Sequence, residues 1–306
     1  MSPTIPVPGP RRLPNFIVIG AAKAGTTALY WYLDEHPEIY RSPLKETNFI
    51  AYETNESGAP VYGDPELHHF PITSIEQYLD LFGEAGYASA VGEASPIYLE
   101  ATGTAERIAA TIPEAKIICG LRNPIDRAYS DYQMYLRSRG ETLDPSVDLT
   151  VDARWLQPES HWMLIGRYHA MLTPYFEVFP RSRIHIYLFD ELRTESLRVV
   201  QEVYRFLAVD DTYEPDLKTP HNVGGIPAVM GVERLLTSKR LRAIVEPLVP
   251  RGAVDVIRRM RTANLRPAPP LPPEARALMT ENIRDDVRRT QELIGVDLGH
   301  WLQPQN

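Results

Sequence analysis

A lysine, two glycines and two threonines near the start of the chain form a pattern that can hold a phosphate. The segment reads FIVIGAAKAGTTALYWYLDEHP, in which an apolar run ends at Gly20 and is followed by Lys23, Gly25, Thr26 and Thr27. Glycines let a backbone approach an anion closely, and the N–H groups at the start of the next helix point toward it. The threonines add hydroxyl donors and the lysine adds a positive charge. The pattern predicts an anion-binding strand–loop–helix unit.

The position of the lysine argues against a nucleoside triphosphatase. Gly20 and Gly25 have the spacing of the nucleotide-binding loop G-x-x-x-x-G-K-[ST], but Thr26 occupies the lysine position and Lys23 lies inside the loop. Such an enzyme also needs an aspartate after a strand to help hold Mg²⁺, and Asp190 is an isolated candidate. A kinase or other P-loop phosphotransferase stays an alternative, as does a tight connection whose lysine faces solvent.

A second segment can bind another phosphate. It reads IICGLRNPIDRAYSDYQMYLR and places Arg122 just after an apolar strand and Ser130 in the second turn of the following helix. A guanidinium matches a phosphate bidentately, and a hydroxyl can donate to the same group. Asn123 is placed to cap this helix, and Pro124 takes the favoured first helical position. Alone, Arg122 would indicate a surface ion pair and Ser130 a solvent-facing residue, but the loop before them favours a ligand.

These two motifs, in this order, resemble those of the sulfotransferases that use 3′-phosphoadenosine 5′-phosphosulfate. The first is similar to the 5′-phosphosulfate loop of that family and the second to its 3′-phosphate-binding segment. Later stretches are similar too, among them GRYHAMLTPYFEVFPRSRIHIYLFDEL and an ending like that of bacterial members, so the likeness spans about residues 14 to 302. The resemblance implies transfer of a sulfuryl group from this donor to an acceptor hydroxyl or, as the second choice, an amine, without a metal.

The resemblance also implies roles for individual residues. Lys23 would stabilise charge on the departing oxygen, and Glu46, in a Lys-Glu-x-x-Phe segment typical of heparan sulfate sulfotransferases, would be the general base. An exposed charged turn is the alternative for that segment, and His68 and His69 are the rival bases. The implied donor-binding residues are Lys23, Ala24, Gly25, Thr26, Thr27, Arg122, Ser130, Lys218, His221 and Asn222. The residues assigned to the acceptor are Lys45, Glu93, Ser95 and Tyr168, of which Tyr168 can equally belong to the core.

One segment departs from the heparan-type pattern. Some enzymes of that type carry Gly-Glu-Lys-[Ser/Thr]-Pro, whereas this chain has Gly-Glu-Ala-Ser-Pro at 92–96 and lacks the lysine. The acceptor class therefore stays open among the hydroxyls of carbohydrates, lipids, natural products and peptides. A catalytically inactive nucleotide-binding protein is a further alternative, against which the complete donor set and Glu46 argue.

Strands and helices that alternate along the chain must position these residues. Apolar runs at 15–20, 115–121 and 183–189 predict buried strands, with helix-period segments between and after them. This alternation predicts an α/β fold in which a mostly parallel central sheet is flanked by helices and carries the P-loop-like unit. The predicted divisions are an extended tail at 1–14 and a single domain at 15–306, with a loop excursion at about 51–72, an insertion at about 138–162 and a C-terminal helical segment at about 226–306.

Composition excludes several classes of protein. The chain has 306 residues and a net charge of −8, which argues against broad attraction to nucleic acid. Its one cysteine, Cys119, excludes an intrachain disulfide. The apolar runs are far shorter than the roughly 20 residues of a membrane-spanning helix, and the N-terminus lacks the apolar stretch of a secretory signal. We therefore expect a cytoplasmic protein whose partner is a small-molecule or glycan acceptor; the sequence says nothing about oligomeric state.

Overall fold

The computed structural model describes residues 12–51, 70–217, 225–229, 231 and 263–303. Within these ranges the chain divides into two compact units. The first unit contains the described residues up to Arg122, those from Tyr168 to Leu217, and 289–296. The second unit contains Asn123–Arg167, the described residues from 225 to 288, and 297–303. The single domain expected for 15–306 stays a prediction.

A parallel sheet forms the centre of the first unit. Its strands are β1 Phe16–Gly20, β2 Ile39–Arg41, β3 Ala90–Ala94, β4 Lys116–Leu121 and β5 Ile184–Leu188. They pair in the order β2-β3-β1-β4-β5, and every pair is parallel. β1 is buried along its whole length, which is why it reads as an uninterrupted apolar run. The predicted α/β class, with a mostly parallel central sheet flanked by helices, is confirmed.

The helices of the described residues are numbered α1 to α11 in chain order. They are α1 Thr26–Asp34, α2 Ile75–Asp80, α3 Ile97–Glu100, α4 Thr104–Thr111, α5 Pro124–Ser138, α6 Pro145–Asp148, α7 His161–Leu164, α8 Tyr168–Val178, α9 Phe189–Thr194, α10 Ser196–Leu207 and α11 Pro273–Ile294. Side chains cap two of these helices: Ser74 accepts the N–H of Gln77, and Asn123, the predicted cap of α5, accepts that of Ile125. Short 3₁₀ turns occur at Phe49–Ala51, Arg154–Leu156, Arg181–Arg183 and Gly299–Leu302.

The hydrophobic core of the first unit joins two helices to the sheet. Leu29 and Leu33 of α1 cluster with Val199 and Val203 of α10 and with Val18 of β1. Each of these side chains is almost fully removed from water. Burial of such side chains is the main favourable contribution to folding, about 1.5–3 kcal/mol for each one. The core thus fixes α1, and with it the loop that precedes α1, against the sheet.

Aromatic side chains pack together in the second unit. Tyr132 of α5 stacks on Trp155 with ring centroids 4.7 Å apart, and Tyr129 stacks on the same indole at 5.6 Å. The Trp155 indole N–H donates to the carbonyl of Asp148 at 2.7 Å. The expected insertion at 138–162 therefore folds into short helices held by aromatic packing, although its sequence has little helical periodicity. A two-stranded antiparallel pair, β6 Ile226–Pro227 and β7 Leu265–Arg266, also belongs to this unit.

Candidate active site

Three of the predicted functional segments follow strands of the main sheet at its carboxyl edge. The loop with Lys23 follows β1, Arg122 follows β4, and the segment with Glu46 follows β2. β1 pairs with β3 on one side and with β4 on the other, so the order of the strands reverses at β1. In open α/β sheets, ligands bind outside the carboxyl ends of the strands at such a reversal. Lys23 and Arg122 therefore lie where this class of fold holds its ligands.

The loop between β1 and α1 adopts a backbone conformation that few residues tolerate. Lys23 has φ 69° and Gly25, the N-cap of α1, has φ 82°. A Cβ atom added at Gly25 would lie 2.8 Å from Leu192 and 3.1 Å from the Phe189 ring, so only glycine fits. Gly25 makes no side-chain cap to α1, which leaves backbone N–H groups of the first helical turn for a ligand. These are the requirements of an anion-binding loop.

The other residues predicted in this loop differ in exposure. Ala24 and Thr26 are buried, whereas Lys23 and Thr27 are partly exposed. The Tyr187 hydroxyl, on β5, donates to the carbonyl of Ala24 at 3.2 Å and attaches the loop to the sheet. The Ala24 N–H donates to the carbonyl of Ala21 at 3.1 Å, within the loop. A ligand outside the sheet edge can therefore reach the side chains of Lys23 and Thr27 and the N–H groups of the first turn of α1.

Arg122 is held in place by contacts on three sides. Its guanidinium Nη1 donates to the carbonyl of Lys23 at 3.1 Å, which ties β4 to the loop after β1. The guanidinium carbon lies 4.6 Å from the centroid of the Phe189 ring, in a cation–π contact. The hydroxyl of the buried Tyr168 donates to the carbonyl of Arg122 at 2.9 Å. Tyr168 thus supports Arg122 from the core, and the contact with an acceptor expected for it stays a prediction.

Ser130 lies on α5, eight residues after Arg122, and is partly exposed. Arg122 is the last residue of the first unit at this point of the chain, and Ser130 belongs to the second unit. A shared contact of these two side chains with one phosphate stays a prediction.

Glu46 projects from a left-handed turn after β2. Its φ is 62° and that of Asn48 is 54°, values that cost free energy in residues other than glycine. The backbone N–H of Glu46 donates to the carbonyl of Ala94 at 2.9 Å, which attaches the turn to the end of β3. The Glu46 side chain is 55% exposed, and its carboxylate forms an ion pair with Lys45, which is 20% exposed. An incoming acceptor can reach both side chains.

Glu93, on β3, is a fully buried carboxylate surrounded by hydroxyl groups. Its Oε2 accepts from Ser95 at 2.7 Å and Thr47 at 2.8 Å, and its Oε1 accepts from Tyr98 at 2.7 Å and Tyr78 at 2.8 Å. Burial raises the pKa of Glu93, while the four hydrogen bonds act in the opposite direction. Glu93 and Ser95 have no exposed surface, so direct contact with an acceptor, expected from the sequence, stays a prediction.

Several predicted residues fall outside the described part of the chain. They are the rival bases His68 and His69 and three of the implied donor-binding residues, Lys218, His221 and Asn222. Within the described ranges, no group of three or more His, Cys, Asp or Glu side chains is arranged to hold a metal ion. No helix in those ranges combines the length and apolar character needed to cross a membrane.

The sequence-based prediction gives no role to four residues of this site: Thr47, Tyr78, Tyr98 and Phe189. The sequence feature that could have indicated the three hydroxyl residues is the glutamate in the buried strand AVGEA, because a buried carboxylate needs hydrogen-bond donors. Phe189 directly follows β5, which pairs with β4. This position in the sequence could have indicated that Phe189 lies at the carboxyl edge of the sheet.

Comparison with known proteins agrees with this geometry. A family model described as "Sulfotransferase family" matches residues 14–214. The human "Bifunctional heparan sulfate N-deacetylase/N-sulfotransferase 2" is 29% identical over 210 residues, which are 65% of this chain and 22% of that protein. The "Membrane-associated sulfotransferase kil1" of Dictyostelium discoideum is 36% identical over 141 residues, 46% of this chain and 27% of that protein. The chain thus spans about a quarter of the length of these two relatives.

A solved structure extends the likeness over nearly the whole chain. The crystal structure of a sulfotransferase from Alicyclobacillus acidocaldarius superposes with a TM-score of 0.68 at 29% identity. The match covers 95% of this chain and 100% of that one. The resemblance that the sequence motifs indicate is therefore found again in the three-dimensional fold.

Proposed function

Because this chain belongs to the sulfotransferase family, we propose that it transfers a sulfuryl group from 3′-phosphoadenosine 5′-phosphosulfate to an acceptor hydroxyl. The observation that carries the proposal is the hydrogen bond from the Arg122 guanidinium to the Lys23 carbonyl, at 3.1 Å. It joins two cationic residues after adjacent parallel strands at the edge where the strand order reverses. The donor has two separate anionic groups, and this arrangement offers a place for each.

The residues of this edge fit the donor chemically. The glycine-containing loop offers N–H groups, the hydroxyl of Thr27 and the charge of Lys23 to the 5′-phosphosulfate. Gly25 matters here because a side chain would fill the space that Phe189 and Leu192 occupy. Arg122 pairs with the 3′-phosphate, and Ser130 adds a hydroxyl to that group. Bound here, the donor supplies the sulfuryl group and a 3′,5′-diphosphate leaving group.

The turn after β2 carries the residues that act on the acceptor. The Glu46 carboxylate accepts the proton from the acceptor hydroxyl as general base. Lys23, on the donor side, stabilises the negative charge that develops on the departing oxygen, so no bound cation is needed. Lys45 lies beside Glu46 and is placed to orient the acceptor, a glycan or small-molecule hydroxyl. The cytoplasmic location expected from the sequence stays a prediction.

Donor binding and sulfate transfer test the proposal together. 3′-Phosphoadenosine 5′-phosphate should raise the melting temperature more than ATP with Mg²⁺ does, because only a ligand of the folded state stabilises it, by about 2.7 kcal/mol at 100 times its Kd. With labelled donor and a panel of acceptors, mass spectrometry should detect an added sulfate. Glu46→Gln should keep the diphosphate-induced shift and lose about 10²–10⁴-fold in turnover.

Two results would change the proposal in different ways. A larger shift with ATP and Mg²⁺, and none with the diphosphate, would overturn the donor and favour a phosphotransferase. Near-native turnover of Glu46→Gln on a confirmed acceptor would leave the donor in place and remove Glu46 as the base. His68 and His69 would then be the residues to test.

A further inference from the structure

The buried Glu93 carboxylate is connected to the backbone of the segment that follows Glu46. The Ser95 hydroxyl donates to Glu93 and accepts the N–H of Asn48 at 3.1 Å. The Tyr98 hydroxyl also donates to Glu93 and accepts the N–H of Ile50 at 3.2 Å. The backbone N–H groups of Asn48 and Ile50 thus end on hydroxyls that a single carboxylate orients.

Thr47 makes the connection continuous. Its hydroxyl donates to Glu93 at 2.8 Å and lies 3.1 Å from the Tyr98 hydroxyl. Thr47 is fully buried and directly follows Glu46 in the chain. The hydroxyls of Thr47, Ser95 and Tyr98, with the Glu93 carboxylate, are called the hydroxyl cluster below. The cluster therefore begins one residue away from the proposed base.

The turn needs such support because its backbone is unfavourable. Glu46 and Asn48 both have positive φ, and a left-handed conformation costs roughly 1–2 kcal/mol in a residue with a side chain. Conformations of this kind persist only where surrounding contacts determine them. The Glu46 side chain is more than half exposed and pairs with Lys45, so the core does not enclose it. The contacts that hold the turn include the hydrogen bond from the Glu46 N–H to the carbonyl of Ala94 and those of the hydroxyl cluster.

We propose that Glu93 is a positioning residue for sulfuryl transfer: through the hydroxyl cluster it holds the strained turn that presents Glu46 to the acceptor. The inference rests on the proposed function, in which Glu46 is the general base. A carboxylate suits this task because its two oxygens accept from several hydroxyls at once, and each hydroxyl is thereby turned with its lone pairs toward a backbone N–H. An apolar residue at this position would leave those hydroxyls without an acceptor.

Tyr98→Phe tests the inference because it removes one hydroxyl and keeps the ring. It should lower turnover about 10–100-fold, since a displacement of about 1 Å at a reacting group has an effect of that size. Affinity for 3′-phosphoadenosine 5′-phosphate should be unchanged, because the donor residues Lys23 and Arg122 lie after other strands. Hydrogen exchange at the Ile50 amide should become about tenfold faster in the ligand-free protein, because its acceptor is gone.

Tyr204→Phe is the matched control. Tyr204 is also fully buried, and its hydroxyl makes a hydrogen bond to the carbonyl of Tyr32 at 3.1 Å, in the core between α1 and α10. Its loss should lower stability to a degree similar to that of Tyr98→Phe while leaving turnover and the Ile50 amide unchanged. Ser95→Ala provides a second test if Tyr98→Phe does not fold, with Asn48 as the reporting amide.

A double variant separates positioning from a general loss of structure. If the cluster acts through Glu46, Tyr98→Phe should not slow an enzyme that already carries Glu46→Gln. Losses that multiply in the double variant would show that Tyr98 acts on another group and would overturn the inference. A slow Glu46→Gln enzyme beside a fully active Tyr98→Phe enzyme would also overturn it and leave the proposed function intact. Native turnover of Glu46→Gln would instead remove Glu46 as the general base of the proposed function, and the inference with it.

Discussion

At the scale of single residues, the guanidinium of Arg122 is the cationic group of the site that its neighbours hold most firmly. Its guanidinium is held by the carbonyl of Lys23 and the face of Phe189, and its own carbonyl accepts from Tyr168. A guanidinium fixed in this way loses little conformational entropy when a phosphate binds. This preorganisation supports the assignment of Arg122 to the 3′-phosphate.

Replacing Arg122 should therefore weaken donor binding strongly. Arg122→Ala removes a charge-assisted bidentate contact, and calorimetry with 3′-phosphoadenosine 5′-phosphate should show a loss of roughly 1.5–3 kcal/mol. Arg205→Ala is the control, because Arg205 pairs with Asp211 at 3.0 Å on the exposed end of α10. The control should bind the diphosphate as the native protein does. Equal affinities of the two variants would show that the 3′-phosphate site lies elsewhere.

Sequence alone could identify Arg122 and Glu46 as candidates, but it could not assign Glu93. Glu46 follows a lysine in a polar segment, and an exposed carboxylate is what such a segment predicts. Glu93 is also a single carboxylate, and it differs from Glu46 in being buried. Its burial depends on three hydroxyls, from α2, α3 and the turn after β2, that meet around β3. That meeting is a property of the folded chain, so sequence alone could not show that hydroxyls enclose Glu93, and the acceptor contact expected for it stays a prediction.

At the scale of elements, the connection between β1 and α1 couples the anion loop to Arg122. The Phe189 ring that lies under the Arg122 guanidinium is also the ring that leaves no room for a side chain at Gly25. α9 begins at Phe189, so three segments that follow β1, β4 and β5 meet around one aromatic ring. A substitution at Gly25 should therefore alter the position of the Arg122 guanidinium.

Gly25→Ala tests this coupling. The left-handed φ of 82° costs about 1–2 kcal/mol for alanine, and the Cβ contacts at 2.8 and 3.1 Å add about 1–3 kcal/mol of overpacking. Gly86→Ala is the control, because its φ is 53° but the nearest atom to an added Cβ lies 4.0 Å away. Urea unfolding should show the larger loss of stability for Gly25→Ala. Only that variant should also bind the diphosphate more weakly, and equal losses in both measurements would contradict the coupling.

The long elements could be predicted from sequence and the short ones could not. The runs that predict β1, β4 and β5 and the amphipathic pattern of α10 are several residues long, so their periodicity is visible. β2 has three residues and α3 has four, which is less than the length over which a period can be read. Both are formed by tertiary contacts: β2 pairs with β3 through Ile39 and Ala90, and Tyr98 of α3 donates to Glu93.

At the scale of the whole molecule, overall charge and local charge act in opposite directions on the proposed donor. The chain carries a net charge of −8, which repels a polyanion at long range. At physiological ionic strength this repulsion is screened beyond about 8 Å, whereas Lys23 and Arg122 act at contact distance. Affinity for the donor thus depends on local cations and backbone N–H groups at one edge of the sheet, and the remaining surface stays anionic.

The stability of the whole protein should depend on pH through a histidine remote from these groups. His185 lies on β5 with its ring 5.3 Å from that of Phe206, and among the described residues its buried Nε2 has no hydrogen-bond partner. Burial lowers the pKa of His185 below its ordinary value of about 6.5. Between the lowered value and 6.5 the unfolded chain binds a proton that the folded chain does not. Acidification through this window therefore favours unfolding.

Removing the imidazole should flatten this dependence. Between pH 7 and pH 5, the free energy of unfolding of the native protein should fall by up to about 1.4 kcal/mol per pH unit from this group, and His185→Leu should lose that part of the slope. His185→Gln should flatten the curve equally, although its absolute stability should be lower than that of His185→Leu because it buries an amide beside the Phe206 ring. Urea titrations at several pH values measure both quantities. Curves parallel to that of the native protein would show that His185 binds its proton equally well in both states.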